Sequence, residues 1–163
     1  MADVKIETLK IRPPEGTQII IGQAHFIKTV EDLYEALATS STAIRFGLAF
    51  CESSGPALVR YDGNEESLAA SAADLALKIG AGHVFVILLR EGFPINVLNK
   101  VKAVEEVAAI FCATGNSIGM IIATDEEGRG VLGVIDGSKS KGIENENEKK
   151  KRHEFLRKIG YKR

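Results

Sequence analysis

The order of apolar and polar residues along the chain predicts a series of short strands. Residues 4–11 (VKIETLKI) alternate apolar and polar side chains, which is the pattern of a half-buried strand. Residues 84–89 (VFVILL) are apolar without interruption and indicate a strand that is buried on both faces. Similar patterns predict strands over residues 17–26, 43–50, 56–61, 117–124 and 130–135.

Apolar residues at helical spacing predict four helices between and after these strands. The first follows Thr29, which we expect to be its N-cap, with Asp32 three residues later completing a capping box. The second carries an apolar stripe from Leu68 to Ile79 and stops at Gly80. The third carries Val97, Val101, Val104, Ala108 and Phe111. A polar, mobile loop over residues 136–147 precedes a short basic helix over residues 148–159.

This alternation of strands and helices is typical of an α/β domain. A length of 163 residues fits one domain better than two, so we expect a single domain over residues 1–163. The short loop at residues 51–55 predicts a hairpin between two strands, whereas other strands are separated by helices. The prediction is therefore a mixed β-sheet that is covered on two faces.

Charge and composition exclude several classes of protein. The formal net charge is -1, so the chain as a whole does not favour nucleic acid or an anionic membrane. Residues 139–163 carry a local excess of basic side chains, but few aromatic residues lie among them, which disfavours RNA binding. Two cysteines are too few for a disulfide scaffold, and no signal-type or membrane-spanning apolar run is present. We expect a cytoplasmic protein without membrane or nucleic-acid partners.

Two glycine-containing segments resemble nucleotide-binding motifs but lack the required context. Residues 128–133 match G-x-G-x-x-G, yet a strand rather than a helix is predicted to follow them, so a tight turn between strands is favoured. Residues 137–140 (GSKS) resemble the end of a P-loop, but the lysine does not directly follow the glycine. The sequence therefore contains no recognisable loop for the polyphosphate of ATP.

Two histidines lie at the ends of predicted strands. His25 follows a strand and precedes the helix at Thr29, where free backbone N–H groups and Lys28 would form an anion site. His83 begins the apolar strand, after a glycine-containing turn. Ligands gather at the carboxyl ends of parallel strands, which favours His25 if these strands are parallel. The alternative for both is a structural, hydrogen-bonded histidine.

Two loops offer further polar groups, which we expect at the same end of the sheet as His25. Residues 51–55 (CESSG) combine a thiol, a carboxylate and two hydroxyls. Cys51 is either a nucleophile with His25 as its base or an ordinary buried cysteine. Glu52 could accept a proton from a substrate hydroxyl or orient an imidazole. Residues 90–96 (REGFPIN) offer a charge, an aromatic ring and an amide that suit a nucleoside or a phosphate. The alternative is that these are ordinary surface side chains with no ligand.

Several long segments resemble the adenosine-specific kinase family. The matching segments include GQAHFIKTVEDLYEAL (residues 22–37), FGLAFCESSGPALVRYDGN (46–64) and GAGHVFVILLREGFPINVLNKVK (80–102). IFCATGN (110–116), GRGVLGVIDG (128–137) and FLRKIGYK near the end extend the match over nearly the whole chain. The resemblance implies a three-layer α/β/α fold, binding of adenosine or AMP, phosphoryl transfer through a phosphohistidine, and homo-oligomers, of which trimers are one form.

We therefore interpret the chain as a phosphotransferase that acts on adenosine. His25 would carry the phosphoryl group, with Lys28 and the helix start at Thr29 offsetting its charge. Further roles fall to Glu52 as the proton acceptor and to Arg90 as a contact to transferred oxygens. Ser53, Phe93 and Asn96 would bind the substrate, unless Asn96 serves only to cap the next helix. The alternative is a non-catalytic sensor of adenosine or AMP. The sequence predicts no metal ligands and does not identify a cofactor or a phosphate donor.

Overall fold

The computed structural model describes residues 3–163 and has the expected α/β class. Its strands are β1 (Lys5–Ile11), β2 (Gln18–Ala24), β3 (Arg45–Cys51), β4 (Val59–Gly63), β5 (Val84–Arg90), β6 (Val107–Thr114), β7 (Ile118–Thr124) and β8 (Arg129–Asp136). Its helices are α1 (Thr29–Ala38), α2 (Glu66–Ile79), α3 (Pro94–Lys102) and α4 (Glu146–Lys158). Over this part of the chain, no helix is both long and apolar enough to cross a bilayer.

The strands form two antiparallel sheets rather than one mixed sheet. The larger sheet has five strands in the order β4-β3-β5-β2-β6, and the smaller has three in the order β1-β7-β8. Every strand pair among the described residues is antiparallel. The α/β class is thus confirmed, but the mixed sheet is wrong. Helices α1, α2 and α3 each join two strands that run in the same direction, but an antiparallel strand lies between the two in the sheet, so no two parallel strands are neighbours.

The five-stranded sheet separates two apolar cores. On one face, Ile20 and Phe85 pack with Leu33 of α1 and Val97 of α3. On the other face, residues such as Ile21 pack with α2 and with the inner side of the three-stranded sheet. Successive residues of β2 and β5 belong alternately to the two cores, as the alternation of side chains in a strand requires. The prediction that β5 is buried on both faces is confirmed.

The third helix is shorter than its apolar spacing predicts. Helix α3 ends at Lys102, and the segment expected to continue it as far as Phe111 includes strand β6, which pairs with β2. Residues 107–114 (VAAIFCAT) are apolar at both helical and strand spacing, so periodicity alone does not decide between the two. Residues 107–114 form a strand because their backbone pairs with β2.

Glycines permit two close approaches in the larger sheet. A Cβ atom at Gly47 would lie 2.1 Å from the carbonyl carbon of Leu68, near the start of α2. A Cβ atom at Gly22 would lie 2.4 Å from the carbonyl oxygen of Ala109 in β6. Elsewhere, residues 128–133 lie at the turn between β7 and β8 and in β8 itself, which confirms the tight turn.

We predict that Gly47→Ala lowers the free energy of unfolding by about 2–3 kcal/mol, because the new methyl group meets backbone atoms that cannot move aside. Gly142→Ala is the matched control, since a Cβ atom there meets nothing within 4 Å and should change stability by less than about 0.5 kcal/mol. Urea unfolding of both variants measures the difference. Equal stability of the two variants would contradict the close packing of α2 on β3.

Candidate functional site

The antiparallel pairing of β2 with β5 brings two histidines together. Gln23 near the end of β2 is paired with Val84 at the start of β5. His25 follows β2 and His83 precedes β5, so the two histidines lie at the same end of the sheet. Their ring centroids are 6.1 Å apart, with an interplanar angle of 89°. The expectation that His83 lies away from His25 is therefore wrong, because it assumed parallel strands. We call the group of His25, His83, Ser53, Lys28 and Glu106 the histidine site.

Backbone hydrogen bonds from three neighbouring segments fix both histidines. The N–H of His25 donates to the carbonyl of Glu106 at 2.7 Å, and the N–H of His83 donates to the carbonyl of Cys51 at 2.8 Å. Between them, the N–H of Ala24 donates to the carbonyl of His83 at 2.9 Å. The histidine positions are thus set by the ends of β2, β3 and β5 and by the residue before β6.

The backbone around the two histidines is strained. Phe26 has φ 82° and His83 has φ 65°, a region that residues other than glycine rarely adopt. Such a conformation costs about 1–3 kcal/mol and persists only where neighbouring contacts impose it. Strain of this kind concentrates at functional sites. Glu91, which follows β5 at the opposite end of the sheet, has a similar φ of 57°, so strain alone does not choose between the two ends.

The side chain of His83 is held on two sides. Its Nε2 atom lies 2.7 Å from Oγ of Ser53, and its ring stacks on buried Phe50 with centroids 5.8 Å apart. Gly82 makes the Ser53 contact possible, because a Cβ atom at Gly82 would lie 2.8 Å from the Cβ atom of Ser53. His83 is consequently half-buried and oriented.

The side chain of His25 is open to solvent. His25 is exposed, and its ring lies beside that of Phe26, with centroids 6.1 Å apart. Phe26 and Ile27 are themselves exposed large apolar side chains, at 54% and 40%. A ligand that approaches His25 would therefore meet an imidazole next to an apolar surface.

Lys28 supplies the positive charge at this site and is shared by two carboxylates. Its Nζ atom pairs with Asp32 and lies 2.9 Å from Oε1 of Glu106. The hydrogen bond to Asp32, followed by that to Glu106, raises the pKa of Lys28 above its ordinary value. The hydrogen bond from Lys28 lowers the pKa of Asp32, so both groups are charged at neutral pH.

Glu106 is a residue that the sequence analysis missed. Its side chain is only 5% exposed, and Oε2 has no hydrogen-bond donor among the described residues. Glu106 contacts two other residues of the site: its backbone carbonyl accepts the N–H of His25, and its carboxylate contacts Lys28. The sequence analysis missed Glu106 because it placed this residue inside a continuous third helix, whereas the residue directly precedes strand β6.

Thr29 does not have the predicted role of a helix cap. Lys28 occupies the N-cap position without a side-chain cap bond, and the buried Thr29 hydroxyl donates to the carbonyl of Phe26 at 2.6 Å. The N–H groups of Thr29, Val30 and Glu31 donate to backbone carbonyls of the preceding turn. The prediction that these N–H groups are free is therefore wrong. The Thr29 hydroxyl instead holds the start of α1 to Phe26 by a hydrogen bond.

Glu52 lies at the expected end of the sheet but is already paired. Its carboxylate accepts from the N–H of Leu58 at 3.1 Å and forms an ion pair with Arg60 at 3.1 Å. The neighbouring Ser53 contacts His83, so the loop that carries both residues belongs to the histidine site. Arg60 is a second charged residue there that the sequence analysis did not identify.

Arg90, Phe93 and Asn96 lie at the opposite end of the five-stranded sheet. They follow the carboxyl end of β5, whereas His83 precedes its amino end, and the seven residues of β5 span about 20 Å. Arg90 pairs with Glu65, and Oδ1 of Asn96 accepts the N–H of Phe93 as a cap of α3. The expectation that all predicted site residues share one end is wrong, because β5 runs antiparallel to both β2 and β3.

Cys51 is an ordinary buried cysteine. It is 5% exposed, its Sγ lies 3.4 Å from the carbonyl oxygen of Ala76, and burial raises the pKa of its thiol to about 11. Burial likewise raises the pKa of Cys112 to about 11. Because the thiolate is the nucleophile, neither group is activated at neutral pH.

We predict that both cysteines of the folded protein react with iodoacetamide at pH 8 at least about a hundredfold more slowly than a free thiol such as glutathione, since few of their thiols are ionised or accessible. Intact mass against time measures the reaction. The same protein in guanidinium is the control and should be labelled twice. Rapid labelling of Cys51 in the folded protein would restore the nucleophile hypothesis.

The part of the chain from residue 3 to residue 163 contains no group of three or more His, Cys, Asp or Glu side chains arranged to hold a metal ion.

Comparison with known proteins supports the resemblance seen in the sequence. The family model described as "Adenosine specific kinase" matches residues 9–162. The crystal structure of PH1918 protein from Pyrococcus horikoshii OT3 is 49% identical, covers 99% of each chain and superposes with a TM-score of 0.94. No curated protein matches the chain. The chain belongs to the adenosine-specific kinase family.

Proposed function

We propose that the protein transfers a phosphoryl group to adenosine and that His25 carries this group between donor and acceptor. Family membership supports the adenosine-directed kinase activity. The single observation that carries the assignment is that Glu106 contacts both residues: its backbone carbonyl accepts the N–H of His25, and its carboxylate pairs with Lys28. AMP, as the product of such a transfer, is the second ligand of the proposal.

Exposure favours His25 over His83 as the phosphorylated residue. The argument from parallel strands no longer applies, since both histidines lie at one end of the sheet. However, His25 is exposed, whereas Nε2 of His83 is engaged by Ser53 and its ring is stacked on Phe50. We assign His83 and Ser53 to the support of the site and His25 to the reaction.

The proposed transfer has two steps. In the first, an imidazole nitrogen of His25 forms a P–N bond while the P–O bond to the donor breaks. In the second, a ribose hydroxyl oxygen of adenosine forms a P–O bond while the P–N bond breaks, and the hydroxyl proton passes to Glu52. Lys28 offsets the charge of the phosphoryl oxygens in both steps. Because phosphate is stored on the protein, the donor and adenosine need not be bound together.

Only part of the predicted set enters this proposal. His25, Lys28, Glu52 and Ser53 are retained, Thr29 is retained as a brace, and Glu106 is added. Arg90, Phe93 and Asn96 are separated from His25 by the length of β5 within one chain. The cytoplasmic location and the homo-oligomer remain predictions, and the phosphate donor is unassigned.

We predict that adenosine and AMP bind more tightly than ATP. The histidine site offers one lysine for a phosphate, and two carboxylates already share that lysine, so a triphosphate would gain little and meet repulsion. Isothermal titration calorimetry with the three ligands checks this. A tenfold preference for ATP, or about 1.4 kcal/mol, would contradict the proposal.

We also predict that His25→Asn abolishes any acid-labile increase of about 80 Da on the protein, together with adenosine phosphorylation. The fold should remain, and adenosine binding should weaken only modestly, because His25 is exposed. Intact mass spectrometry after incubation with candidate donors measures the label, and thermal unfolding reports the fold.

Two variants serve as controls for this experiment. His83→Asn should retain the label and lower thermal stability, since asparagine tolerates the positive φ but loses the Phe50 stack and the Ser53 contact. His153→Asn, on exposed α4, should change neither property. Loss of the label only in His83→Asn would move the phosphoryl group to His83. Adenosine binding without any label from any donor would favour the sensor.

A further inference from the structure

Phe26 is a large apolar residue that packs in neither core of the domain. It lies between β2 and α1, directly after His25, and it is 54% exposed. It is absent from both groups of residues that form or flank the two apolar cores. An exposed phenylalanine keeps apolar area in contact with water, which costs free energy that a polar side chain avoids. The packing of the cores therefore gives no reason for an aromatic ring at this position.

The backbone conformation of Phe26 adds a second cost. Its φ angle of 82° lies in the left-handed region, where a bulky residue is a clear outlier. Glycine adopts this region without a steric penalty. A glycine at position 26 would thus remove both the backbone strain and the exposed ring. A residue that is unfavourable for folding in two respects points to a role in function.

The strained conformation is imposed by neighbouring groups and does not depend on the aromatic ring. The N–H of His25 donates to the carbonyl of Glu106 at 2.7 Å. The carbonyl of Phe26 accepts both the hydroxyl of Thr29 at 2.6 Å and its N–H at 3.2 Å, and Thr29 is fully buried. All of these bonds use backbone atoms or Thr29. The backbone should therefore keep its path when the ring of Phe26 is removed.

The ring of Phe26 lies at the edge of the histidine site. Its centroid is 6.1 Å from that of His25, and the two ring planes are inclined by 30°. Phe50 also contacts the site, through His83, but Phe50 is buried and its ring is closed to a ligand. Ile27, which is 40% exposed, extends the apolar surface beside Phe26. An aromatic ring is thus open to solvent next to the imidazole that we assign to the reaction.

We propose that the adenine base of the substrate stacks on Phe26, and not on Phe93 at the opposite end of the sheet. This inference rests on the proposed function, because it assigns the base-binding residue of the same site. Adenosine joins a planar base to its ribose by a single bond, so a base on Phe26 keeps the ribose close to His25. Stacking on an aromatic ring needs no hydrogen bond to the edge of the base. The instability at position 26 is accordingly the cost of a binding surface.

Replacing Phe26 with glycine should change affinity and stability in different directions. Phe26→Gly removes one base–aromatic stack, so the affinity for adenosine should fall about 5–150-fold. The midpoint of thermal unfolding should stay equal or rise, because the strained φ angle is relieved. Isothermal titration calorimetry and thermal unfolding measure the two properties. A clear fall in the midpoint would assign Phe26 to the fold and overturn the proposal.

Two variants at the opposite end of the sheet are matched controls. Glu91→Gly relieves a similar φ angle of 57°, and Phe93→Ala removes an aromatic ring that is 56% exposed. Neither variant should change the affinity for adenosine by more than about twofold, since neither residue contacts the proposed base. A loss of affinity in Phe93→Ala, with none in Phe26→Gly, would return the base to Phe93.

A ligand without a base separates stacking from general damage to the site. Ribose 5-phosphate has the sugar and phosphate of AMP but no purine. Phe26→Gly should weaken the binding of AMP by the same factor as that of adenosine and leave the binding of ribose 5-phosphate unchanged. Equal losses for AMP and ribose 5-phosphate would contradict a stacking role.

A tryptophan at position 26 reports the stack directly. The chain contains no tryptophan, so Phe26→Trp introduces a single fluorophore. This variant should keep its affinity for adenosine, and adenosine should quench its fluorescence to saturation. The fluorescence of Phe93→Trp should not respond. If the native chain binds no adenosine in calorimetry, the proposed function itself fails. If the native chain binds adenosine, but Phe26→Gly binds it equally well and Phe26→Trp is not quenched, only the assignment of Phe26 fails.

Discussion

The antiparallel pairing of β2 with β5 is the contact on which the rest of the structure depends. Ile19, Ile20 and Ile21 lie opposite Leu88, Ile87 and Val86 in the middle of the five-stranded sheet, and all are fully buried. Because side chains alternate between the two faces, a slip of one residue would exchange the contents of the two cores. The same register places the end of β2 beside the start of β5, so the packing of the cores also determines that His25 and His83 meet.

Backbone strain occurs at the end of this sheet, where β2 ends and β5 begins. The positive φ angles of Phe26 and His83 oppose the preference of both residues, and the hydrogen bonds to Glu106, Cys51 and His83 hold the chain in place. The first turn of α1 uses its own N–H groups internally, so it offers little to a bound anion. Positive charge beside His25 therefore depends on Lys28, and the position of Lys28 depends on Asp32 and Glu106.

Much of the fold could be predicted from the sequence, because strong local patterns determine it. The apolar run of β5, the alternation in β1 and the glycine stop of α2 all correspond to structure. Strand direction could not be predicted, because a segment such as β5 has the same composition in parallel and antiparallel sheets. Consequently the sequence analysis correctly placed His25 after one strand and His83 before another, but it put the two histidines at opposite ends of the sheet. Glu106 was missed for a related reason, since only pairing with β2 distinguishes β6 from a continued helix.

The two ends of the five-stranded sheet have different chemistry, and one chain keeps them apart. One end has imidazoles, a lysine and carboxylates, while the other has the aromatic side chains around Phe93. In the proposed mechanism, a phosphoryl group on an imidazole moves only to an atom in contact with it, so groups beyond the length of β5 would not assist its transfer within that chain. The aromatic end is free of this constraint, yet its exposed apolar area is costly in water. Within one chain, the proposed transfer therefore draws only on side chains at the histidine end of the sheet.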